Sequence, residues 1–151
     1  MKKFELTNEF ITNTFGTKLF RIRALVEFGD VEAGELGGYV EKESNLGHDD
    51  NAWVYGDAQV SGDARVCGNG DYAYAHGFGS VNRTTTFFRL KDGGVGVRCG
   101  CFYGTLAQFR DKIRETHGET KKAQEYLMLA DLMELRFEED ENEVGNRKYV
   151  E

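Results

Sequence analysis

Residues 54–71 constrain the fold more than any other stretch, because they repeat. Written in sixes they run Val54-Tyr55-Gly56-Asp57-Ala58-Gln59, Val60-Ser61-Gly62-Asp63-Ala64-Arg65 and Val66-Cys67-Gly68-Asn69-Gly70-Asp71. Valine recurs at the first position, glycine at the third, Asp or Asn at the fourth, and alanine at the fifth until Gly70 replaces it. A six-residue period of this kind describes a hexapeptide β-solenoid, in which each unit makes one short strand and one corner. The branched valine points inward, the small fifth residue fits the corner, and the Gly-Asp step reaches backbone conformations that most residues disfavour. Three hexads complete about one triangular coil, and one coil cannot bury a core alone. Either the preceding segment, with Val40 and Leu46, adds an irregular coil, or a neighbouring subunit covers the ends. A glycine-rich meander of ordinary strands is the alternative. The 19 glycines and absent proline suit a chain of tight turns in either case.

On the N-terminal side, Phe20, Ile22, Ala24 and Val26 alternate with Arg21, Arg23 and Leu25 within Lys18–Phe28. That period of two predicts a strand with one apolar face. Tyr39-Val40 reads as a second short strand after the turn at 34–38. On the C-terminal side, Thr84–Leu90, the turn Asp92-Gly93-Gly94 and Val95–Phe102 form a predicted β-hairpin. Thr105 and Gln108 make a capping box for a helix with Leu106, Phe109 and Ile113 on one face. His117 lies in its last turn and Gly118 ends it. A second helix spans roughly 120–137, with Tyr126, Leu127, Ala130, Met133 and Phe137 as its buried stripe. The expected fold class is therefore α+β: a short hexapeptide-type β-solenoid arm followed by a β-hairpin packed on two α-helices. The boundaries read as 1–71, 72–137 and an acidic tail at 138–151.

Charge narrows the partners. The 19 Lys and Arg against 26 Asp and Glu leave a net charge of −7, which disfavours direct nucleic-acid binding, where basic side chains supply most of the affinity. Much of the excess lies in Glu138, Glu139, Asp140, Glu141 and Glu143. Cys67, Cys99 and Cys101 cannot all pair internally. The first residues, MKKFELTNEF, lack an apolar signal core, and no stretch is apolar enough to cross a bilayer. These features predict a soluble, reduced, cytosolic protein with no membrane partner.

Three segments carry a family likeness: Arg21-Ile22-Arg23-Ala24-Leu25, residues 34–46 (GELGGYVEKESNL) and Trp53-Val54-Tyr55-Gly56-Asp57-Ala58. With Gly79-Ser80-Val81-Asn82-Arg83, Thr86–Arg89, Cys101–Leu106 and Thr116-His117-Gly118, they resemble phage- and prophage-encoded hexapeptide-repeat proteins from about residue 18 to 135. The resemblance implies a mobile-element origin, a β-solenoid arm and a small C-terminal α/β cap. It brings no catalytic residue and no cofactor.

Candidate chemistry is sparse. Cys99 and Cys101, two apart on a strand, share a face and with His117 invite a metal reading, while Cys101 paired with His117 invites a nucleophilic one. No fourth ligand or orienting acid has suitable spacing, and small thiols in a hairpin core explain them as well. His48 reads as a turn residue beside Asp49 and Asp50. Gly77–Arg89 is more suggestive. There a Gly/Ser/Asn loop feeds a Thr-rich strand flanked by arginines, and loop amides with Arg side chains can hold phosphate. The expected ligand-binding set is Ser80, Arg83, Thr86, Arg98 and Thr105, the last at a helix N-terminus. The expected function is non-enzymatic: a host-defence antagonist that sequesters a nucleotide-like signal or masks a defence protein. A small-nucleotide hydrolase, an acyltransferase and a phage assembly protein are the alternatives. The uncovered coil ends predict a homo-oligomer, dimer or trimer.

Overall fold

The structure is a computed structural model that describes residues 2–12, 16–79, 83–100 and 102–138. It is α+β, with two four-stranded sheets and two helices. The first sheet holds β1 (Phe4–Thr12), β2 (Lys18–Ala24), β3 (Leu36–Val40) and β4 (Gln59–Val60) in that order. The second is an antiparallel meander of β5 (Tyr72–Phe78), β6 (Arg83–Arg89), β7 (Val95–Cys99) and β8 (Phe102–Thr105). Helices α1 (Leu106–His117) and α2 (Lys121–Phe137) follow.

The period-two strand forms over Lys18–Ala24, short of the expected Phe28, and Leu19 is buried while Phe20, on the expected apolar face, is half-buried. Ile22 and Ala24 are buried, while Arg21 and Arg23 turn outward to pair with Glu9 and Glu5. Both glutamates belong to β1, a strand the sequence reading did not place.

The hexads bury their valines but do not make three successive strands. Val54, Val60 and Val66 are all 0% exposed, with Ala58 and Ala64 packed beside them. Only Gln59–Val60 forms a regular strand, Val60 pairing in parallel with Val40. Val66 makes an isolated parallel bridge to Leu46. The third hexad instead closes into a turn, where the Asp71 carboxylate accepts from the Cys67 and Gly68 amides. No closed solenoid is present among the described residues. The segment before the hexads supplies the neighbouring layer, because Val40 and Leu46 stand over Val60 and Val66.

The second sheet covers the hexads from the other side. The Gln59 amide donates to the Thr86 hydroxyl at 2.9 Å, and the Asp63 amide donates to the Tyr103 hydroxyl at 3.1 Å. Phe88 and Tyr72 complete the core around Trp53 and the three valines. Gly62 shows why its position needs glycine: φ is +62°, and an added Cβ would lie 2.2 Å from the Tyr103 hydroxyl. Apolar surface that the repeat leaves open is thus buried within one chain.

The expected hairpin is a larger sheet. Its predicted return strand, 95–102, breaks at Gly100 (φ +60°), and Phe102 starts β8 instead. The helices follow the sequence closely. The Thr105 hydroxyl accepts from the Gln108 amide, the Gln108 side chain accepts from the Thr105 amide, and Gly118 ends α1 with φ +59°. Leu106, Phe109 and Ile113 of α1 pack with Ala123, Tyr126, Ala130, Met133 and Phe137 of α2 over Phe87 and Val97. No helix among the described residues is long and apolar enough to cross a membrane.

One buried phenol reports on this packing. The Tyr72 hydroxyl donates to the Trp53 carbonyl at 2.7 Å and accepts from the Tyr55 amide at 3.0 Å. Burial pushes its pKa up to about 12, above the ~10 of a free tyrosine. The folded state therefore favours the neutral phenol. Its contribution is complete below pH ~10 and is lost as pH rises through the folded value. Stability should fall between these two limits, and Tyr72→Phe should flatten that part of the profile. Thermal melts of both proteins across alkaline pH check this. At neutral pH the same substitution should cost about 1–3 kcal/mol, because it strands a carbonyl and an amide.

Candidate functional site

Alternation along β6 divides the candidate residues between two faces of the sheet. Thr86 and Phe88 point to the hexads, while Thr85 and Phe87 point to the helices. Cross-strand partners share a face, so the register Thr86↔Arg98 places Arg98 with Thr86, and Thr85↔Cys99 places Cys99 with Thr85. Arg98 is 4% exposed and donates to the Gln59 side chain and the Ser61 hydroxyl, each at 3.4 Å. Thr86 is fully buried and engaged by Gln59. Both side chains tie the second sheet to the hexads.

Arg83 opens β6 on the helix side and lines a cleft of about 290 Å³. Its walls include Phe102, Phe109, Tyr126 and His117, and Lys112 projects from α1 at the same cleft. Thr105 lies elsewhere. It caps α1 in a separate groove beside Arg89 and Phe137, where Arg89 donates to the Phe137 carbonyl at 3.2 Å. Of the five expected ligand-binding residues, Arg83 alone lines the cleft. Thr86 and Arg98 sit on the opposite face, Thr105 occupies another groove, and Ser80 lies outside the described residues. Arg83 and Arg98 cannot clamp one phosphate through a sheet.

The cleft also gathers Lys112 and Tyr126, to which the sequence reading assigned no ligand role, and Cys99 and His117, which it weighed for metal or nucleophilic chemistry. The His117 ring stacks on Tyr126 with centroids 6.0 Å apart and planes 25° apart. The Thr85 hydroxyl donates to Cys99 Sγ at 3.3 Å, and the Cys99 thiol lies 3.7 Å from the Tyr126 hydroxyl. Burial, and then the Cys99 sulfur, raise the Tyr126 pKa far above the ordinary phenol range, so this hydroxyl stays protonated. The contact brings Cys99 beside Tyr126, whereas Cys101, the thiol considered with His117, lies outside the described residues. Lys112 was legible only indirectly: it is one residue before Ile113 on α1, at the border of the buried stripe.

Other candidates are accounted for locally. His48 Nδ1 accepts from the Lys3 amide at 3.0 Å, which fixes the proton of the neutral ring on Nε2, 3.6 Å from the Glu43 carboxylate. Its ring stacks on Phe4 at 4.4 Å. Nδ1 is thus occupied by a backbone amide. Among the described residues no group of three or more His, Cys, Asp or Glu side chains converges to hold a metal ion.

The chain is 35% identical over 82 residues to a protein named "Uncharacterized acetyltransferase YdcK" of Escherichia coli (strain K12). That match covers 45% of this chain and 25% of the relative, so the chain corresponds to about a quarter of that protein. No family model matches the chain. No solved structure matches it either.

Proposed function

We propose that the chain binds a small nucleotide-like anion in the cleft between the second sheet and the two helices, and releases it unchanged. One observation carries this reading: Arg83 and Lys112 meet at a cleft whose walls are aromatic. Two cations suit a phosphate, Arg by a bidentate contact and Lys as a point charge. Flat side chains such as Phe102, Tyr126 and His117 suit a base. The volume, at the lower end of small-molecule sites, favours a mononucleotide over a longer ligand. The likeness to phage- and prophage-encoded proteins supplies the setting, in which binding withdraws a nucleotide signal from a host defence. In that reading residues 1–71 carry a shortened hexapeptide arm, clearest at 54–71, and residues 72–137 its cap.

Acetyl transfer is the second reading, favoured by the partial match to a protein named as an acetyltransferase. His48, the histidine of the hexad side, has Nδ1 occupied by the Lys3 amide, and this weighs against that nitrogen as the base for such a transfer. Incubation with nucleotides and with acetyl-coenzyme A, followed by denaturation and product analysis, separates the two readings. Unchanged nucleotide recovered from the protein supports binding, and converted product supports an enzyme.

Arg83→Glu tests the site. Loss of a charge-assisted contact costs about 1.5–3 kcal/mol, roughly 10- to 150-fold in affinity. Arg65→Glu makes the same charge change on the exposed side of the hexads and should leave calorimetric affinity near that of the parent. Equal loss in both variants would indicate a general field effect. Loss in neither would remove the cleft from consideration and favour masking of a protein by the acidic surface.

A further inference from the structure

The backbone against which Arg83 rests belongs to a glycine. Gly100 lies in the turn between β7 and β8 with φ +60°, and a Cβ there would overlap the Arg83 guanidinium. Gly34 and Gly93 also have positive φ, yet nothing stands where their side chains would be. At Gly56, Gly62 and Gly79 the neighbouring group is a tyrosine hydroxyl. Among the described glycines of positive φ, Gly100 alone lies against a charged group.

Arg83 itself is placed unlike most arginines of this chain. Arg21, Arg23, Arg89, Arg110 and Arg114 each meet a carboxylate. Among the described residues no carboxylate lies within ion-pair distance of Arg83. Its charge acts instead on the Tyr126 phenol, whose pKa burial raises first and Cys99 next, while the Arg83 cation pulls it the other way. The guanidinium therefore stands at the cleft wall with no acid to neutralise it. Such a fork grips two phosphate oxygens only when it is aimed at them, and aiming a long side chain costs rotamer entropy.

We propose that Gly100 is a positioning residue for ligand binding: having no side chain, it lets the Arg83 guanidinium rest against the β7–β8 turn, aimed at a phosphate in the cleft. This inference rests on the reading of the cleft as a nucleotide site. Holding the guanidinium in place before the ligand arrives lowers the ordering cost that binding would otherwise incur. A Cβ at position 100 would push that group aside. Because the guanidinium is the free end of a long, exposed side chain, the fold can yield at little cost, and the loss falls on the ligand.

Gly100→Asn tests the proposal, since asparagine accepts left-handed backbone better than most residues that carry a Cβ. Gly93→Asn makes the same change at φ +94° with open space beside it, and so controls for the backbone. Calorimetry with the four common nucleoside 5′-monophosphates should show Gly100→Asn binding about 10-fold more weakly than the parent, and Gly93→Asn within about twofold of it. In an Arg83→Ala background Gly100→Asn should have no further effect. Relaxation of the Arg83 Nε–H resonance requires no ligand. It should report an ordered side chain in the parent and in Gly93→Asn, and a mobile one in Gly100→Asn. Parent-like affinity in Gly100→Asn, an equal loss in Gly93→Asn, a loss that persists without Arg83, or an Arg83 side chain already mobile in the parent would each overturn the role of Gly100. A parent that binds none of the four nucleotides would overturn the cleft reading instead, and the Arg83 resonance would then decide the positioning by itself.

Discussion

Replacing Val60 by aspartate is expected to destabilise the protein by about 3–5 kcal/mol, a large share of the 5–15 kcal/mol that holds a domain of this size together. Val60 is 0% exposed, pairs with Val40 and lies in a core that also contains Trp53, Val54 and Phe88. A carboxylate there has no cation within the cluster to meet it. It would either remain charged at high cost or take up a proton, so the loss should be smaller in acid than at neutral pH. Urea unfolding at two pH values measures both effects. If the variant melts like the parent, the layered packing of the hexad valines is wrong.

Lys3→Ala should cost about as much, in the range of about 3–5 kcal/mol for breaking a buried ion pair. Lys3 is 3% exposed, an unusual place for an ammonium group. Its Nζ donates to the Ala52 carbonyl at 2.6 Å, the Asp50 carbonyl at 3.0 Å and the Asp50 carboxylate at 3.2 Å, and it sits over the Phe28 ring. Alanine removes all three donors and leaves a hollow beneath Phe28. Lys3→Met retains the stem and should recover the packing part only. Combining it with Asp50→Asn removes the uncompensated charge and should restore a further fraction, which a double-mutant cycle in urea would quantify. A Lys3→Ala protein within about 1 kcal/mol of the parent would mean that the ammonium is not a structural clamp.

Both sites separate what is local from what is not. The hexad pattern identified Val54, Val60 and Val66 as inward residues, because a branched side chain beside a Gly-Asp corner has few other places to go. The capping box at Thr105 and Gln108, the glycine stop at Gly118 and the buried stripe of α2 were legible for the same reason. Each depends on contacts within four residues of chain. Lys3 was not legible, since its partners lie 47 and 49 positions away.

The candidate site was read least well, and part of that was avoidable. Arg83 and Thr86 are an odd number of positions apart on one strand, which by itself assigns them to opposite faces. The pairing of Arg98 with Thr86 follows from the β6–β7 register, which a two-strand hairpin already fixes. What alternation could not supply is the identity of each face's neighbour.

Sequence by itself determined the α+β class, both helices with their ends, the buried valines and the acidic balance, because periodicity and capping act over one or two turns of chain. Tertiary structure alone decided that the second sheet packs over one side of the hexads, and that Lys112, His117 and Tyr126 join Arg83 at one cleft. Those outcomes rest on pairings between residues tens of positions apart. Their energy comes from apolar area buried between elements, a quantity that no single segment carries.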